Sequence, residues 1–311
     1  MKKISILIPV YNEAEGLTML KTALDNVVDS IEGYDWEYLF VNDGSVDCTL
    51  EKLQEIRKTD LRVSILELSR NFGKESAMLA GMDYATGDAL IIMDADLQDP
   101  PTLIPEMIKC WEDGYEDIYA KRRQRGQESW LRGALSRMFY KVLQRSARFE
   151  MLENVGDFRL LDKVCVDALK RMRESERYTK GMYSWIGFRK KEILFDRGDR
   201  TTGTSNWNYN SLFNLAIDGI TSFTILPLRI ASFMGILVSL AAIVYMLWFL
   251  IKTLIWGDPV AGFPTLIVVI LFLGGVQLLA LGIIGEYVGK IFNESKNRPV
   301  YIARSYNGQK I

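Results

Sequence analysis

Ile91–Asp99, with the sequence IIMDADLQD, is a short apolar run that ends abruptly in acidic residues. The apolar half predicts a buried strand, and it places Asp94 and Asp96 where that strand leaves its sheet. Ligands of open α/β sheets bind at the carboxyl ends of the strands. Two carboxylates with one residue between them can both reach one divalent cation, and hard oxygen ligands suit Mg²⁺ or Mn²⁺. The stretch predicts a metal-assisted reaction on a phosphorylated substrate, although two acids can also cap a helix N-terminus.

Composition narrows the chemistry. The chain has 311 residues, a formal net charge of −1 and no histidine. That charge creates no field that would attract nucleic acid. Without histidine, Ser-His-Asp catalysis, Cys-His catalysis and His-ligated zinc are excluded, so a general base must be Asp, Glu, Lys or Tyr. The cysteines Cys48, Cys110 and Cys165 have no CxxC spacing and indicate a reducing compartment.

The first 208 residues alternate predicted strands and helices. The predicted strands are Ile4–Val10, Tyr38–Val41, Val63–Leu68 and Ala89–Met93, and the predicted helices are Glu13–Val28, Thr49–Arg57 and Lys74–Ala85. This order predicts an α/β domain with a mostly parallel sheet that is covered on both faces.

Polar segments follow all four predicted strands and predict a nucleotide site at one edge of the sheet. These segments are Pro9–Glu13, Asn42–Asp47, Ser69–Lys74 and Asp94–Asp99. A dinucleotide site of the Rossmann type is unsupported, because the chain has no GxGxxG. Gly73-Lys74-Glu75-Ser76 is like the end of a Walker A loop, but Leu68 stands where its first glycine would be.

Two long apolar segments follow. Ile230–Ile251 has no charged residue, and Phe263–Gly285 has Gln277 as its one strongly polar side chain. Each is long enough for a bilayer core, which needs ~20 residues per helix; buried helices of a soluble protein are the alternative. Lys and Arg are more frequent outside this pair than in the connector Lys252–Gly262, so the positive-inside rule places both ends in the cytoplasm.

The predicted organisation is a cytoplasmic α/β domain at 1–208, an interfacial helix at 209–228, transmembrane helices at 229–252 and 263–288, and a cytoplasmic tail at 289–311. The interfacial helix is predicted from apolar residues at helical spacing between Tyr209 and Phe223, and a buried soluble helix is the alternative. Residues 121–148 carry nine Lys and Arg residues against Glu128. This pattern indicates membrane-surface binding, or for most of these residues a solvated charged face.

Several motifs resemble glycosyltransferase family 2. They are Pro9–Glu13, Asn42–Ser45, Arg70–Lys74, Asp94–Asp99, Asn154–Leu160 and Gly219–Phe223. The last two, with the two spans, resemble polyprenyl-phosphate glycosyltransferases, in particular the bactoprenol glucosyltransferases of serotype-conversion clusters; dolichyl-phosphate mannose synthases share the catalytic domain. The similarity runs from Ile4 to about Pro299 and implies a GT-A (Rossmann-like) catalytic domain.

The resemblance also implies residue roles. The residues that would hold the nucleotide are Pro9, Tyr11, Glu13, Asp43, Lys74, Asp94 and Arg200. The Mg²⁺ or Mn²⁺ ion would be bound by Asp94, Asp96 and Gln98. The acceptor phosphate would be bound by Arg122, Arg132 and Ser136. Tyr11 as a packing residue, Asp43 as a turn former and Lys74 as a solvated helix residue are the alternatives.

Asp157 is the candidate catalytic base, and its neighbour Arg159 could pair with it and keep it ionised. Arg200 begins a stretch that is similar to the family's flexible loop over the diphosphate. Asn206 stands where relatives usually carry Lys, which leaves Arg200 as the expected clamp.

The implied activity is inverting, metal-dependent transfer of a sugar, with glucose expected, from a UDP-sugar to undecaprenyl phosphate. N-acetylglucosamine or mannose as the sugar, and a non-catalytic membrane adaptor, are the alternatives; the intact acids Asp94, Asp96 and Asp157 argue against the adaptor. A processive synthase would need a Gln-x-x-Arg-Trp motif, which is absent. The implied partners are membrane lipid and further copies of the same chain, with a tetramer as one candidate assembly. A lipid-sugar flippase and a downstream glycosyltransferase of lipopolysaccharide or teichoic acid are the implied functional partners. Nucleic acid is not expected as a partner.

Overall fold

The computed structural model describes residues 1–123, 155–175, 177–195, 226–256 and 262–311. These residues form two compact units. The first contains the described residues up to 195 and also the C-terminal tail, Arg298–Ile311. The second contains the described residues from 226 to 297.

The first unit is built around one sheet to which nine strands of the described chain contribute. The strands are β1 Lys2–Val10, β2 Tyr34–Asn42, β3 Val63–Leu68, β4 Ala89–Ile92, β5 Asp117–Arg122, β6 Val155–Asp162, β7 Lys190–Phe195, β8 Ala303–Tyr306 and β9 Gln309–Lys310. The helices are α1 Leu17–Val28, α2 Thr49–Thr59, α3 Lys74–Tyr84, α4 Ile104–Glu112, α5 Lys163–Arg171 and α6 Thr179–Trp185. The strand order is β7-β5-β6-β4-β1-β2-β3-β8-β9.

The sheet is mixed, whereas the sequence predicted a mostly parallel one. The four predicted strands, in the order β4-β1-β2-β3, do pair in parallel. However, β6 runs antiparallel between β4 and β5, and β8 runs antiparallel to β3. The apolar pattern of a strand does not encode its direction, so the antiparallel direction of β6 and β8 could not be predicted from hydrophobicity alone.

Helices cover both faces of the sheet, as predicted. Ile4, Ile6 and Ile8 point to one face of β1 and are fully buried in a core with α1 and α4. Leu7 points to the other face, as the two-residue period of a strand requires. It packs so closely on α3 that a Cβ at Gly81 would lie 2.0 Å from a Leu7 methyl group.

The tail forms an unexpected hairpin at the sheet edge. β8 and β9 are joined through Asn307 and Gly308, which both have positive φ (53° and 82°). Asn-Gly with this geometry is the preferred two-residue turn of a hairpin. Asn307 also bonds to β3: its N–H donates to the Ile65 carbonyl at 2.8 Å, and its side-chain oxygen accepts from the Ile65 N–H at 2.8 Å.

We expect Asn307→Ala to destabilise the first unit by about 2 kcal/mol, because it removes one hydrogen bond and places alanine in left-handed backbone. The melting temperature of the full-length protein in detergent should fall by roughly 5 °C. Gln309→Ala, on the exposed strand β9, is the control and should change it much less. Equal melting temperatures for Asn307→Ala and the wild type would contradict this role.

The second unit contains two long helices that contact each other, α7 Leu226–Trp256 and α8 Phe263–Ser295. They contain the two predicted spans. Among the described residues, one helical stretch, Phe272–Ser295, is long and apolar enough to cross a membrane, and it is not buried in the structure. Ile230–Tyr245 is a shorter apolar stretch.

Candidate active site

The loops after β1 and β2 are joined by reciprocal hydrogen bonds. The Asn12 N–H donates to the Ser45 hydroxyl at 3.0 Å, and the Asn12 side-chain oxygen accepts from the Val46 N–H at 2.9 Å. Asn12 has a φ of 55°, and this turn delays the start of α1 to Leu17, four residues after the predicted start. The loops hold Tyr11 with an exposed ring and Pro9 partly buried near the end of β1.

Asp43 is buried and fixes the loop that leads into α3. Its two carboxylate oxygens accept from the backbone N–H groups of Phe72 and Gly73, each at 2.8 Å. Burial raises the pKa of Asp43, and the two backbone hydrogen bonds offset only part of that rise. Asp43 therefore orders the start of α3, and its contact with a nucleoside stays a prediction.

Gly44 allows the same two loops to touch. Its φ is 68°, and a Cβ at this position would lie 2.4 Å from the Arg70 carbonyl carbon and 2.7 Å from the Asn71 nitrogen. Both contacts are with backbone, which cannot rotate away as a side chain can. Only glycine fits here without moving the loop after β3.

We expect Gly44→Ala to lower kcat/KM by a factor on the order of 10 or more, because the loop after β3 must shift and it leads directly into Lys74. Gly33→Ala is the matched control: Gly33 also has positive φ (91°), but no atom lies within 4 Å of its Cβ position. Both variants therefore place alanine in left-handed backbone, and only Gly44→Ala also brings its Cβ against the backbone of Arg70 and Asn71. If both variants lose activity equally, the close approach at Gly44 is unimportant for the site.

Lys74 connects two of the predicted site residues. Its Nζ lies 2.6 Å from Asp94 Oδ1 and 2.6 Å from Asp157 Oδ2. Burial lowers the pKa of Lys74, but the charges of Asp157 and Asp94 outweigh burial and hold that pKa above its usual range. The first residue of α3, the end of β4 and the start of β6 therefore meet in one charged cluster.

Asp157 is a buried, ionised carboxylate. Burial raises the pKa of Asp157, but the charges of Lys74 and Lys180 outweigh burial and hold it below its usual range. Its second oxygen, Oδ1, is buried without a hydrogen-bond partner in the described part of the chain. An ionised carboxylate with an unused oxygen can accept a proton or a hydrogen bond from a substrate.

Arg159 does not form an ion pair with Asp157, so that part of the prediction is wrong, although the charge of Arg159 also helps to hold the pKa of Asp157 below its usual range. Its Nη1 lies 3.2 Å from Asp117 Oδ1, and its guanidinium group lies 3.4 Å from the ring centre of Tyr183. Asp117 is completely buried, and a buried carboxylate requires a paired cation. Lys74 supplies the partner of Asp157 instead.

Asp96, Gln98 and Glu13 lie in the same acidic region. Burial, and then the charges of Asp96, Asp47 and Asp94, raise the pKa of Glu13. The backbone N–H of Gln98 donates to Asp96 Oδ1 at 3.1 Å. The Gln98 side-chain amide is buried and has no hydrogen-bond partner among the described residues.

Asp94, Asp96 and Gln98 fit a hard divalent cation by their chemistry. They provide two carboxylates and one neutral oxygen in a region of excess negative charge. Within the described residues, no group of three or more His, Cys, Asp or Glu side chains could hold a metal ion. Mg²⁺, however, is commonly bound by one or two carboxylates together with substrate phosphates, so the protein need not supply every ligand.

Arg122 is the one predicted acceptor residue that the structure describes. It lies at the end of β5 with Nη2 3.8 Å from Asp99 Oδ1, and a Cβ at Gly156 would also lie 3.8 Å from that nitrogen. The Arg122 side chain therefore lies close to Gly156, which directly precedes Asp157 in the chain. Arg132, Ser136, Arg200, Asn206 and most of the predicted interfacial helix lie outside the described residues.

A contact between α3 and α6 supports this cluster, and no sequence pattern predicts it. Glu75 accepts hydrogen bonds from both the backbone N–H and the hydroxyl of Thr179, which opens α6. The two residues are 104 positions apart, so no local pattern joins them. The contact brings α6, with the exposed Lys180, towards Asp157.

The mixed sheet and its helices form an α/β fold of the GT-A-like class. The chain belongs to glycosyltransferase family 2: the family model "Glycosyl transferase family 2" matches residues 5–169, and "GtrB C-terminal hairpin" matches residues 226–291. The protein is therefore a glycosyltransferase, as the sequence motifs predicted.

Its relatives cover nearly the whole chain. It is 45% identical to the glycosyltransferase sll0501 of Synechocystis over 96% of this chain and 94% of that protein. It is 41% identical to the bactoprenol glucosyl transferase of Shigella phage SfV over 97% and 98%. The prophage bactoprenol glucosyl transferase homolog of Escherichia coli K12 is 40% identical over 97% and 98%. Among solved structures, glucosyl-3-phosphoglycerate synthase of Mycobacterium tuberculosis matches with a TM-score of 0.45 at 16% identity, over 71% of this chain and 78% of that one.

Proposed function

We propose that this protein transfers glucose from UDP-glucose to undecaprenyl phosphate, with inversion at the anomeric carbon. The observation that carries the proposal is the contact of Lys74 with both Asp94 and Asp157, 2.6 Å each, at the carboxyl end of the sheet. This contact supports the proposal, because Lys74 and Asp94, which are predicted to bind the nucleotide, are then adjacent to the candidate base Asp157. The name of the Shigella phage relative supplies the acceptor and the sugar.

The donor half of the site lies at the end of β4. A bound Mg²⁺ or Mn²⁺ would be held by Asp94, Asp96 and Gln98 and would neutralise negative charge on the leaving diphosphate. Lys74 adds a second cation on the same side. The exposed ring of Tyr11 can stack on a base, and Glu13 can accept from ribose hydroxyls.

The acceptor half lies around Asp157 and Arg122. An oxygen of the lipid phosphate attacks the anomeric carbon, the bond from that carbon to the diphosphate breaks, and UDP leaves. Arg122 would orient the acceptor phosphate, since guanidinium groups suit phosphate geometry. Asp157 would accept a remaining phosphate proton or orient the acceptor; a phosphate's second pKa is ~6, so most of the acceptor is already a dianion at neutral pH.

We also propose that both α7 and α8 cross the membrane, with the catalytic domain and the tail in the cytoplasm. The support is topological. The tail follows α8 in the chain, yet β8 pairs with β3 in the same sheet as the N-terminal strands. A single crossing would leave the tail and the domain on opposite sides, so an even number of crossings must separate them.

The remaining partners follow from the acceptor. A sugar on undecaprenyl phosphate made at the cytoplasmic face has to reach the other face before it is used. A lipid-sugar flippase and a second glycosyltransferase that acts on a cell-surface glycan are therefore proposed as functional partners, and a homo-oligomer in the membrane as the assembly.

The donor assignment is tested with a panel. Purified full-length protein is incubated with undecaprenyl phosphate, Mn²⁺ and one donor at a time: UDP-glucose, UDP-N-acetylglucosamine or GDP-mannose. We expect nucleotide release that requires the lipid phosphate and is fastest with UDP-glucose. Fastest release with another donor reassigns the sugar, and no release with any donor would contradict undecaprenyl phosphate as the acceptor.

Arg122→Ala is expected to raise the apparent KM for undecaprenyl phosphate by about tenfold, because one charge-assisted contact to phosphate is lost. The KM for UDP-glucose should change by less than about twofold. Arg171→Ala, an exposed arginine at the end of α5, is the control. If only the KM for the donor rises, Arg122 belongs to the donor half of the site.

A further inference from the structure

Lys74 forms an ion pair with Asp94, a carboxylate that the proposed metal site requires as a ligand. Its Nζ contacts Asp94 Oδ1 at 2.6 Å, a close ion pair between an ammonium group and a carboxylate. The same nitrogen contacts Asp157 Oδ2 at 2.6 Å. The ammonium group therefore joins a predicted metal ligand to the candidate base.

An ammonium group and a divalent cation compete for such an oxygen. Both are positive, and both require the lone pairs of Asp94. Their mutual repulsion is large at short range, because charges a few ångströms apart at a partly buried site are screened less than in water. A metal ion can bind beside Lys74 only if Lys74 moves away or if a third, negative group compensates for both cations.

The structure lets Lys74 move without unfolding its surroundings. Its side chain is 41% exposed, and Lys74 is the first residue of α3, directly after Gly73 with a φ of 92°. The backbone before it is fixed by Asp43, whereas the long side chain can rotate. When the ammonium group leaves Asp94, it can stay on Asp157 and direct its freed N–H towards a diphosphate.

We infer that Lys74 is a placeholder for the metal ion: in the resting site it neutralises Asp94 and Asp157, and it releases Asp94 only when a nucleoside diphosphate arrives with the cation. The inference rests on the proposed donor class. It makes Lys74 a device that suppresses metal binding without nucleotide and so couples the two ligands. Such coupling is reciprocal by thermodynamic linkage.

The test is Mn²⁺ binding, measured by the electron paramagnetic resonance signal of free Mn²⁺, with full-length protein in detergent. Without UDP, Lys74→Met should bind Mn²⁺ more tightly than the wild type by a factor on the order of 10, which lies in the typical range of site-to-site coupling. The further tightening that UDP produces should be smaller in Lys74→Met than in the wild type. Lys74→Gln keeps a hydrogen-bond donor for the two carboxylates and serves as the second variant if Lys74→Met does not fold.

Lys180→Met is the matched control, because Lys180 also acts electrostatically on Asp157 but, in the described part of the chain, forms no ion pair with Asp94, which pairs with Lys74. Its effect on Mn²⁺ binding should be less than about a third of that of Lys74→Met. Equal effects of the two variants, or unchanged Mn²⁺ affinity in both Lys74 variants, would overturn the inference. Because no lipid acceptor is present, this result is independent of whether undecaprenyl phosphate is the acceptor.

Discussion

Asp157→Asn is expected to lower kcat by a factor on the order of 10²–10⁴, while the affinity for UDP with Mn²⁺ stays near that of the wild type. The side chain is buried, and its Oδ2 lies 2.6 Å from Lys74 Nζ. Asparagine keeps the size of the side chain and removes the charge that accepts a proton or orients the acceptor. The measurement combines steady-state kinetics with calorimetric titration of UDP.

The pH profile separates two roles of Asp157. Because its pKa is lowered, Asp157 stays ionised as pH falls from 8 to 5. Loss of activity over that range therefore does not come from Asp157, and we expect it to follow the acceptor phosphate, whose second pKa is ~6. If the activity of Asp157→Asn recovers as pH rises, Asp157 only assists the reaction, and the acceptor phosphate needs only to be ionised. Asp113→Asn, an exposed carboxylate at the end of α4, is the control. Near-normal kcat of Asp157→Asn at every pH would place the base elsewhere.

Asp96→Asn is expected to reduce turnover by a factor on the order of 10³ or more, because a proposed carboxylate ligand of the metal ion is lost where charge would accumulate on the leaving diphosphate. EDTA should stop the wild type, and Mg²⁺ or Mn²⁺ should restore it. Mn²⁺ binding in the presence of UDP should weaken in parallel with turnover.

Asp167→Asn, an exposed carboxylate on α5, removes the same charge away from the site and should keep wild-type turnover. Full activity of the wild type in EDTA would remove the metal from the mechanism. Retained Mn²⁺ affinity in Asp96→Asn would remove Asp96 from its ligands.

The sequence was most informative where function and fold share one pattern. Four apolar runs that end in polar residues predicted the parallel centre of the sheet and the edge at which Asp94 and Asp43 lie. β3 was predicted with its observed bounds, Val63–Leu68, and α3 to within one residue. Local spacing sufficed here because each strand and the loop after it form one continuous segment.

Pairing across the chain was not predictable. Asp157 and Arg159 are two residues apart on β6, and this spacing suggested an ion pair. The register of β6 on β5 instead brings Arg159 to Asp117, and register is a property of two strands that are distant in sequence. For the same reason, the contact of Lys74 with Asp157, 83 positions away, has no signature in either segment.

The tail contains a local signal for its structure. Asn307-Gly308 between short strand-forming runs is a strong hairpin pattern, although charge and position alone predict only a cytoplasmic tail at 289–311. In the structure β8 pairs with β3 and covers the edge that β3 would otherwise expose. An exposed strand edge is a site of unwanted pairing, so covering it has a structural purpose.

The most direct test of the central claim is the structure of the lipid product. Full-length protein, UDP-glucose, Mn²⁺ and undecaprenyl phosphate are incubated together, and the extracted lipid is analysed by mass spectrometry and proton NMR. We predict undecaprenyl phosphate carrying one hexose in β linkage, because the phosphate attacks the α-linked donor in one inverting step. UDP release without a new glycolipid, or a product with α linkage, would contradict the proposed reaction.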